Sequence, residues 1–361
     1  MRIALIVPPF ISVPPKGYGG TELFAAQLAE GLAKLGLDVV VYTNGESTVP
    51  VEKRWIYPKS LWPISSEIHT DLRDINHGAW AVEDAAKSCD IIHVSNAPSL
   101  VHSRFTDLPF VYTIHHAHDE GLSNLYSFYP DVWYVSISEF QQKLETMQKL
   151  RTIHHGIDPS IYTMGTGKRE HFVFLGRIAP VKGTHNAIEV AKRTGIPLKI
   201  AGEVQPMFQE YFETKVKPHI DGKLIEYVGQ ADLKMKNELL STSLGLLFPI
   251  EWDEPFGLVM IEAMACGAPV YALPGGSVAE IVKDGVSGYT SHSLDDMAER
   301  AKRAPEFDFA GVRRYVEENF SVERMVQGYA DLYAEVLGET TAVKAKQALR
   351  IDELEEPRAI A

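Results

Sequence analysis

The sequence is short of cysteine, of long apolar runs and of basic charge, and each shortage removes a class of protein. Cys89 and Cys266 are the two cysteines in 361 residues. They cannot form a disulfide framework, so a reducing compartment is expected. No apolar stretch approaches the ~18 residues that would cross a bilayer, and no basic amphipathic stretch advertises a membrane surface. The opening Met1-Arg2-Ile3-Ala4-Leu5-Ile6-Val7-Pro8-Pro9 has too short an apolar stretch and no small-residue cleavage site for a secretory leader. Lys and Arg number 35 against 48 Asp and Glu, a formal charge of −13, spread evenly over both halves. That balance excludes the basic stripe of a nucleic-acid-polymer binder. It does not exclude a bound nucleotide, which one or two local cations can hold. A cytoplasmic protein without a membrane span is the expectation, and a homo-oligomer stays open.

What remains is ordinary globular composition, 45% hydrophobic and 23% charged, at a length that suggests two domains. Short β-branched runs alternate with amphipathic patterns. Strands are expected at Ile3–Val7, Val39–Tyr42, Asp90–Val94, Phe110–Thr113 and Val132–Val135, then at Phe172–Leu175, Leu198–Ala201, Ile225–Val228, Leu244–Phe248 and Val270–Ala272. Helices are expected at Glu22–Leu35, Glu139–Lys149, His185–Arg193, Met207–Val216, Leu233–Ser241, Leu258–Cys266, Val278–Val282 and Val322–Leu337. Continuous apolar strands separated by helices imply parallel sheets covered on both faces. The fold class is therefore α/β, as two doubly wound Rossmann-like units. The boundary falls within the Gly-, Pro-, Thr- and Ser-rich His155–Lys168, giving domains of 1–160 and 161–321. The helix of about 322–361 is free to pack back on the first domain, its charged tail forming surface helix or disorder. Ligands of such sheets bind beyond the carboxyl ends of the strands, so two facing units would enclose a cleft.

The first strand-to-helix loop reads Gly17-Tyr18-Gly19-Gly20-Thr21-Glu22. A dinucleotide fingerprint needs Gly or Ala where Glu22 stands and an acid after the second strand, where Thr43-Asn44 stands instead. A phosphate-binding P-loop also fails, because Gly167-Lys168 is followed by Arg169. Paired glycines before a helix still let the backbone approach a ligand and aim N–H groups at an anion. Gly176-Arg177 follows the first strand of the second unit, with Lys182-Gly183 before the next helix. A guanidinium fork and a point charge at a switch-point loop suit phosphate.

The stretch Phe248–Gly267 is the most informative. Glu254 precedes a helix and Glu262 lies within it, flanked at helical spacing by the apolar Leu258, Val259, Ala265 and Cys266. A carboxylate on that stripe is costly to bury without hydrogen-bond donors, and ligand hydroxyls are the expected partners. Gly257, Leu258 and Val259 open the helix and expose free N–H groups to an anion. Hydroxyl acceptors beside an anion hole suit a nucleotide sugar.

These residues resemble family 4 retaining glycosyltransferases of the two-Rossmann-domain GT-B fold. Glu254 and Glu262, separated by seven residues, match that family's paired-glutamate motif. The Gly17–Glu22 loop, His115, Val135–Glu139, His155-Gly156-Ile157-Asp158, Gly176-Arg177 with Lys182, and Gly275-Gly276 before Glu280 match in order over about residues 1–337. One departure stands out: the family has Pro-Asn where this chain has His154-His155. The resemblance implies that Arg177 and Lys182 hold a donor diphosphate with Gly19 and Gly20 close to it. It places ribose hydroxyls on Glu262, sugar hydroxyls on Glu254 and the transferred sugar near His115. Val228 and Gly229 would meet the base through backbone atoms, and Phe256, Gly257, Leu258 and Val259 would complete the donor site. No cofactor and no metal is implied, since cations and helix N-termini offset the leaving diphosphate. The implied activity is transfer of a hexosyl group from a nucleoside diphosphate sugar, UDP-sugar first, to a hydroxyl of a small or carbohydrate acceptor. A nucleotide-sugar epimerase and a noncatalytic binding protein are the alternatives.

His115-His116-Ala117-His118-Asp119 has loop-like spacing and no complementary Cys or acidic set, so it reads as polar cleft lining rather than a metal site. Other histidines, such as His69 and His77, read as surface loop residues. The Gly45–Trp80 connection carries Trp55, Tyr57, Trp62 and Trp80, whose aromatic faces suit an acceptor ring; the equal alternative is a helix-and-loop cover over an edge of the sheet. Tyr18 and Trp62 are the acceptor-side candidates.

Overall fold

Val-, Ile- and Leu-rich runs such as Asp38-Val39-Val40-Val41-Tyr42 form strands because branched side chains pack on both faces of a pleated sheet. The computed structural model describes residues 1–17, 19–62 and 69–355, with side chains for all of these except 339 and 341–355. Seven strands build the first sheet: β1 Arg2–Ile6, β2 Asp38–Tyr42, β3 Glu52–Arg54, β4 Ile91–Val94, β5 Phe110–Ile114, β6 Trp133–Ser136 and β7 Leu150–Thr152. Six build the second: β8 His171–Leu175, β9 Leu198–Ala201, β10 Ile225–Gly229, β11 Ser243–Phe248, β12 Val270–Ala272 and β13 Gly288–Thr290. The orders are β3-β2-β1-β4-β5-β6-β7 and β10-β9-β8-β11-β12-β13, and every pairing is parallel. Both sheets reverse direction once, between β1 and β4 and between β8 and β11. Those switch points are where doubly wound sheets open a crevice. The two Rossmann-like domains inferred from the sequence are present.

The chain crosses between the sheets twice, and the crossings touch. Ile157 N–H donates to the Phe320 carbonyl at 3.0 Å, and Val322 N–H donates to the Ile157 carbonyl at 2.8 Å. Gly156 is needed for this approach, because a Cβ there would lie 2.3 Å from the Ser321 carbonyl oxygen. The helix Val322–Glu355 then returns to the first sheet. Met325, Val326, Tyr329, Leu332, Tyr333 and Val336 share one core with Phe24, Leu28 and Leu32 of the helix Gly20–Lys34. A second tie links the domains. Glu280 accepts hydrogen bonds from the backbone N–H groups of Glu139 (2.7 Å) and Phe140 (2.5 Å), and lies 3.0 Å from His154 Nε2.

Several expectations need correction. The Gly45–Trp80 connection holds the edge strand β3 and the helix Thr70–Ala85. Glu52-Lys53-Arg54 carries no apolar signal, because an edge strand has few neighbours to bury it. The helix expected over Glu139–Lys149 stops at Leu144, and edge strand β7 follows. Met207–Val216 is a short 3-10 turn, one α-turn and a π-turn rather than one helix. The strand β13 and the helices Leu294–Ala301 and Phe309–Asn319 were not anticipated. His77 is wholly buried on the helix Thr70–Ala85, not a surface loop residue. No helix among the described residues is long and apolar enough to cross a membrane.

Candidate active site

The carboxyl ends of both sheets meet at two adjoining cavities of about 400 and 170 Å³. Gly19, Gly20, Leu175, Gly176, Arg177, Leu258 and Val259 line both. The loop after β1 and the start of the helix Gly20–Lys34 form one wall. The loops after β8 and β11 and the start of the helix Leu258–Ala265 form the other. Two helix N-termini therefore border the same space, with unbonded N–H groups and the positive ends of their dipoles. Gly20 and Leu258 are close enough that a Cβ on Gly20 would lie 3.6 Å from Leu258 Cδ1.

Arg177 and Lys182 both line the larger cavity. Lys182 Nζ lies 2.6 Å from Glu254 Oε2 and 4.2 Å from the centre of a Trp252 ring. Trp252 Nε1 donates to the same Glu254 oxygen at 3.0 Å. Burial and the neighbouring Arg177 draw the Lys182 ammonium below its ordinary value, against the pull of Glu254. Arg177, by contrast, has no ion pair among the described residues and its buried Nε has no hydrogen-bond partner. One cation of the pair is held by a carboxylate, and the other is free for an anion.

The larger cavity takes in Gly19, Gly20, Trp62, His115, Arg177, Lys182, Glu254, Phe256, Gly257, Leu258 and Val259. Of the other sequence-derived candidates, Glu262 lines the smaller cavity. Its environment corrects the reasoning that selected it. Lys236 Nζ lies 3.0 and 3.1 Å from its two oxygens, and Tyr162 O–H donates to Oε1 at 3.1 Å. Protein donors already satisfy this buried carboxylate, so its burial alone does not call for a ligand. Val228 and Gly229 stop short of the cavity, whose wall is taken by Gln230 and Ala231. Val228 packs into the core, and the Gly229 carbonyl accepts from Gly202 N–H at 2.8 Å. Tyr18 lies outside the described residues.

Sequence reasoning did not assign Glu22, His155, Trp252, Gly202, Glu203 or Lys236 to the site. His155 stacks on His115 with ring centroids 5.5 Å apart and planes 5° apart. Burial pushes the His155 imidazole down to about 3 and His115 well below its usual range, so both rings are neutral. His115 Nε2 and His155 Nδ1 are buried without hydrogen-bond partners. The next histidines diverge from the site: His116 bonds Tyr126 at 2.6 Å, and His118 lies 3.0 Å from Glu145. Among the described residues no group of three or more His, Cys, Asp or Glu is arranged to hold a metal ion.

Residues 18–161 match the family model Glycosyltransferase Family 4, and residues 165–306 match Glycosyl transferases group 1. The chain is 25% identical over 221 residues to D-inositol 3-phosphate glycosyltransferase of Mycolicibacterium smegmatis, a match covering 56% of this chain and 51% of that one. It is 23% identical over 368 residues to N-acetyl-alpha-D-glucosaminyl L-malate synthase of Bacillus anthracis, covering 88% and 94%. The chain thus spans about half of the first relative and nearly all of the second. Among solved structures, Anabaena HepE in complex with UDP and glucose aligns with a TM-score of 0.72 at 18% identity, covering 93% of this chain and 100% of that one. That likeness is one of fold.

Proposed function

We propose that this chain, which belongs to glycosyltransferase family 4, moves a hexosyl group with retention of anomeric configuration from a nucleoside diphosphate sugar to an acceptor hydroxyl. A UDP-sugar is the first candidate donor, in line with the ligand of HepE. The observation that carries the reading is Arg177, a guanidinium without an ion pair among the described residues. It lines a cavity bordered by Lys182 and two helix N-termini. That arrangement suits a diphosphate.

A diphosphate between Arg177 and Lys182 would share the Lys182 ammonium with Glu254. Glu254 Oε1 would then accept from sugar hydroxyls, and Glu262 Oε2, bonded only to Lys236, from ribose hydroxyls. Gly202, Glu203 and Gln230 line the smaller cavity, where the base would lie. In the reaction, the C1–O bond to the diphosphate breaks and its electron pair leaves with the phosphate. The acceptor oxygen bonds to C1 from the same face and passes its proton to the departing phosphate oxygen. Negative charge grows on the leaving group, where Arg177, Lys182 and the helix N-termini stabilise it without a metal ion.

A donor-by-acceptor screen that measures released nucleoside diphosphate, with and without EDTA, tests this reading. Release that needs acceptor, survives EDTA and gives a product of unchanged anomeric configuration by NMR is expected. An inverted product would overturn retention. Donor isomerised without acceptor would establish an epimerase, and donor bound but left intact a binding protein.

A further inference from the structure

Resting on the glycosyltransferase reading, we infer that the acceptor is a neutral polyhydroxy ring, selected by the unpaired carboxylate of Glu22 on the N-terminal wall of the cavity. Glu22 is 6% exposed and lines the larger cavity alongside Ile11, Thr21 and Trp62. It stands at the third residue of its helix, where a capping-box glutamate would bond the N-cap N–H. No such bond to Gly19 is formed, and the carboxylate takes no ion pair among the described residues. Burial pushes its carboxyl above the usual range. Its own backbone N–H is the one protein donor seen among the described residues, so the buried carboxylate has capacity to accept more, and hydroxyls of a molecule in the cavity supply it.

The distribution of charge then sets the acceptor class. The cations lining the two cavities are Arg177, Lys182 and Lys236, all beyond the crossing at Gly156. Lys236 is paired with Glu262, and Lys182, already paired with Glu254, is shared with the diphosphate that Arg177 holds. No Lys or Arg of the N-terminal unit lines either cavity among the described residues, and residues 18 and 63–68 contain none in sequence. An anionic acceptor would face both Glu22 and the donor diphosphate with no cation left to offset it. Like charges brought together without water between them are strongly disfavoured. A neutral ring meets no such cost, and the half-exposed Trp62 indole offers it an apolar face. This separates the chain from the relatives named for an inositol phosphate and for malate.

The test uses UDP-glucose, UDP-galactose and UDP-N-acetylglucosamine as donors. Methyl glycosides of glucose, galactose and mannose serve as acceptors, beside the matching 2-amino sugars and uronates. The wild type should prefer a neutral glycoside to its uronate by about a hundredfold in kcat/KM. In Glu22→Gln the KM for the neutral acceptor should rise about tenfold and the discrimination against uronate should shrink at least tenfold. UDP affinity within about twofold of wild type by calorimetry would show that the variant is folded. Unchanged discrimination in Glu22→Gln would overturn the role of this residue. Transfer that favours uronates or amino sugars, or UDP release to water alone, would overturn the acceptor class and leave the donor reading standing. No UDP release under any condition would remove the UDP-sugar reading and this inference together.

Discussion

Arg177 and Lys182 stand five residues apart at the end of β8, yet their surroundings separate their expected roles. Arg177 has no ion pair among the described residues, so replacing it removes only what it would give a diphosphate. Arg177→Ala should weaken UDP binding about tenfold to a hundredfold by calorimetry, the range for charged hydrogen bonds. Lys182 already bonds Glu254 at 2.6 Å, so much of its contribution arises as charge builds on the leaving group. Lys182→Ala should lower kcat at saturating donor by about a hundredfold or more. A normal kcat would remove Lys182 from the mechanism. These two residues were legible because their loop lies within one strand-to-helix connection. The partners of Glu262 were not. Lys236 is 26 residues away and Tyr162 is 100, and no local spacing announces a contact at that range. Glu22 was visible as a misfit to the dinucleotide fingerprint and as the end of the Gly17–Glu22 loop, but its missing ion pair was not, since a missing partner is a property of surroundings and not of sequence.

Among the elements, the loop–helix unit around Leu258–Ala265 depends on glycine geometry. Gly276 has φ +57°, and a Cβ there would lie 2.1 Å from the Glu254 carbonyl oxygen and 2.4 Å from its nitrogen. Gly276 thus lets its loop lie against the backbone that presents Glu254. Gly276→Ala should destabilise the protein by about 2 kcal/mol or more from strain and overpacking, and should shift the Glu254 loop. Urea midpoints and donor KM would measure the two effects, and an unchanged midpoint would refute the packing argument. Buried central strands such as β5 and β11 were readable because both faces are apolar. Edge strands β3, β7 and β13 were not, because three residues with one neighbouring strand need little apolar patterning. The helix Thr70–Ala85 was foreseen only as part of a helix-and-loop cover, without bounds, since it places Asp74 and His77 among its buried residues.

For the whole molecule, the tie from Glu280 to His154 and the 139–140 backbone holds the two domains across the cleft. Burial raises the Glu280 carboxyl, but hydrogen bonds from His154, Glu139 and Phe140 outweigh it and hold the group below 4.5. A depressed folded value means that this stabilisation is complete above about pH 4.5, the unfolded value, and is lost as pH falls through the folded one. Glu280→Ala should cost about 2 kcal/mol at pH 7 and raise the radius of gyration in small-angle scattering. The stability difference from wild type should narrow at acid pH. A scattering profile identical to wild type at pH 7 would show that the tie does not set the domain arrangement.

By itself the sequence determined two doubly wound units, their switch-point loops and the cations and carboxylates those loops carry. Apolar periodicity and loop chemistry are local, and strand order in such folds places the loops at the sheet ends. Only the tertiary structure decided which charges are spent. It paired Lys182 with Glu254 and Lys236 with Glu262, and left Arg177 and Glu22 without ion pairs among the described residues on opposite walls of the cleft. Burial and pairing arise from contacts between distant segments, and so the electrostatic character of the cavity emerges only when the chain is folded.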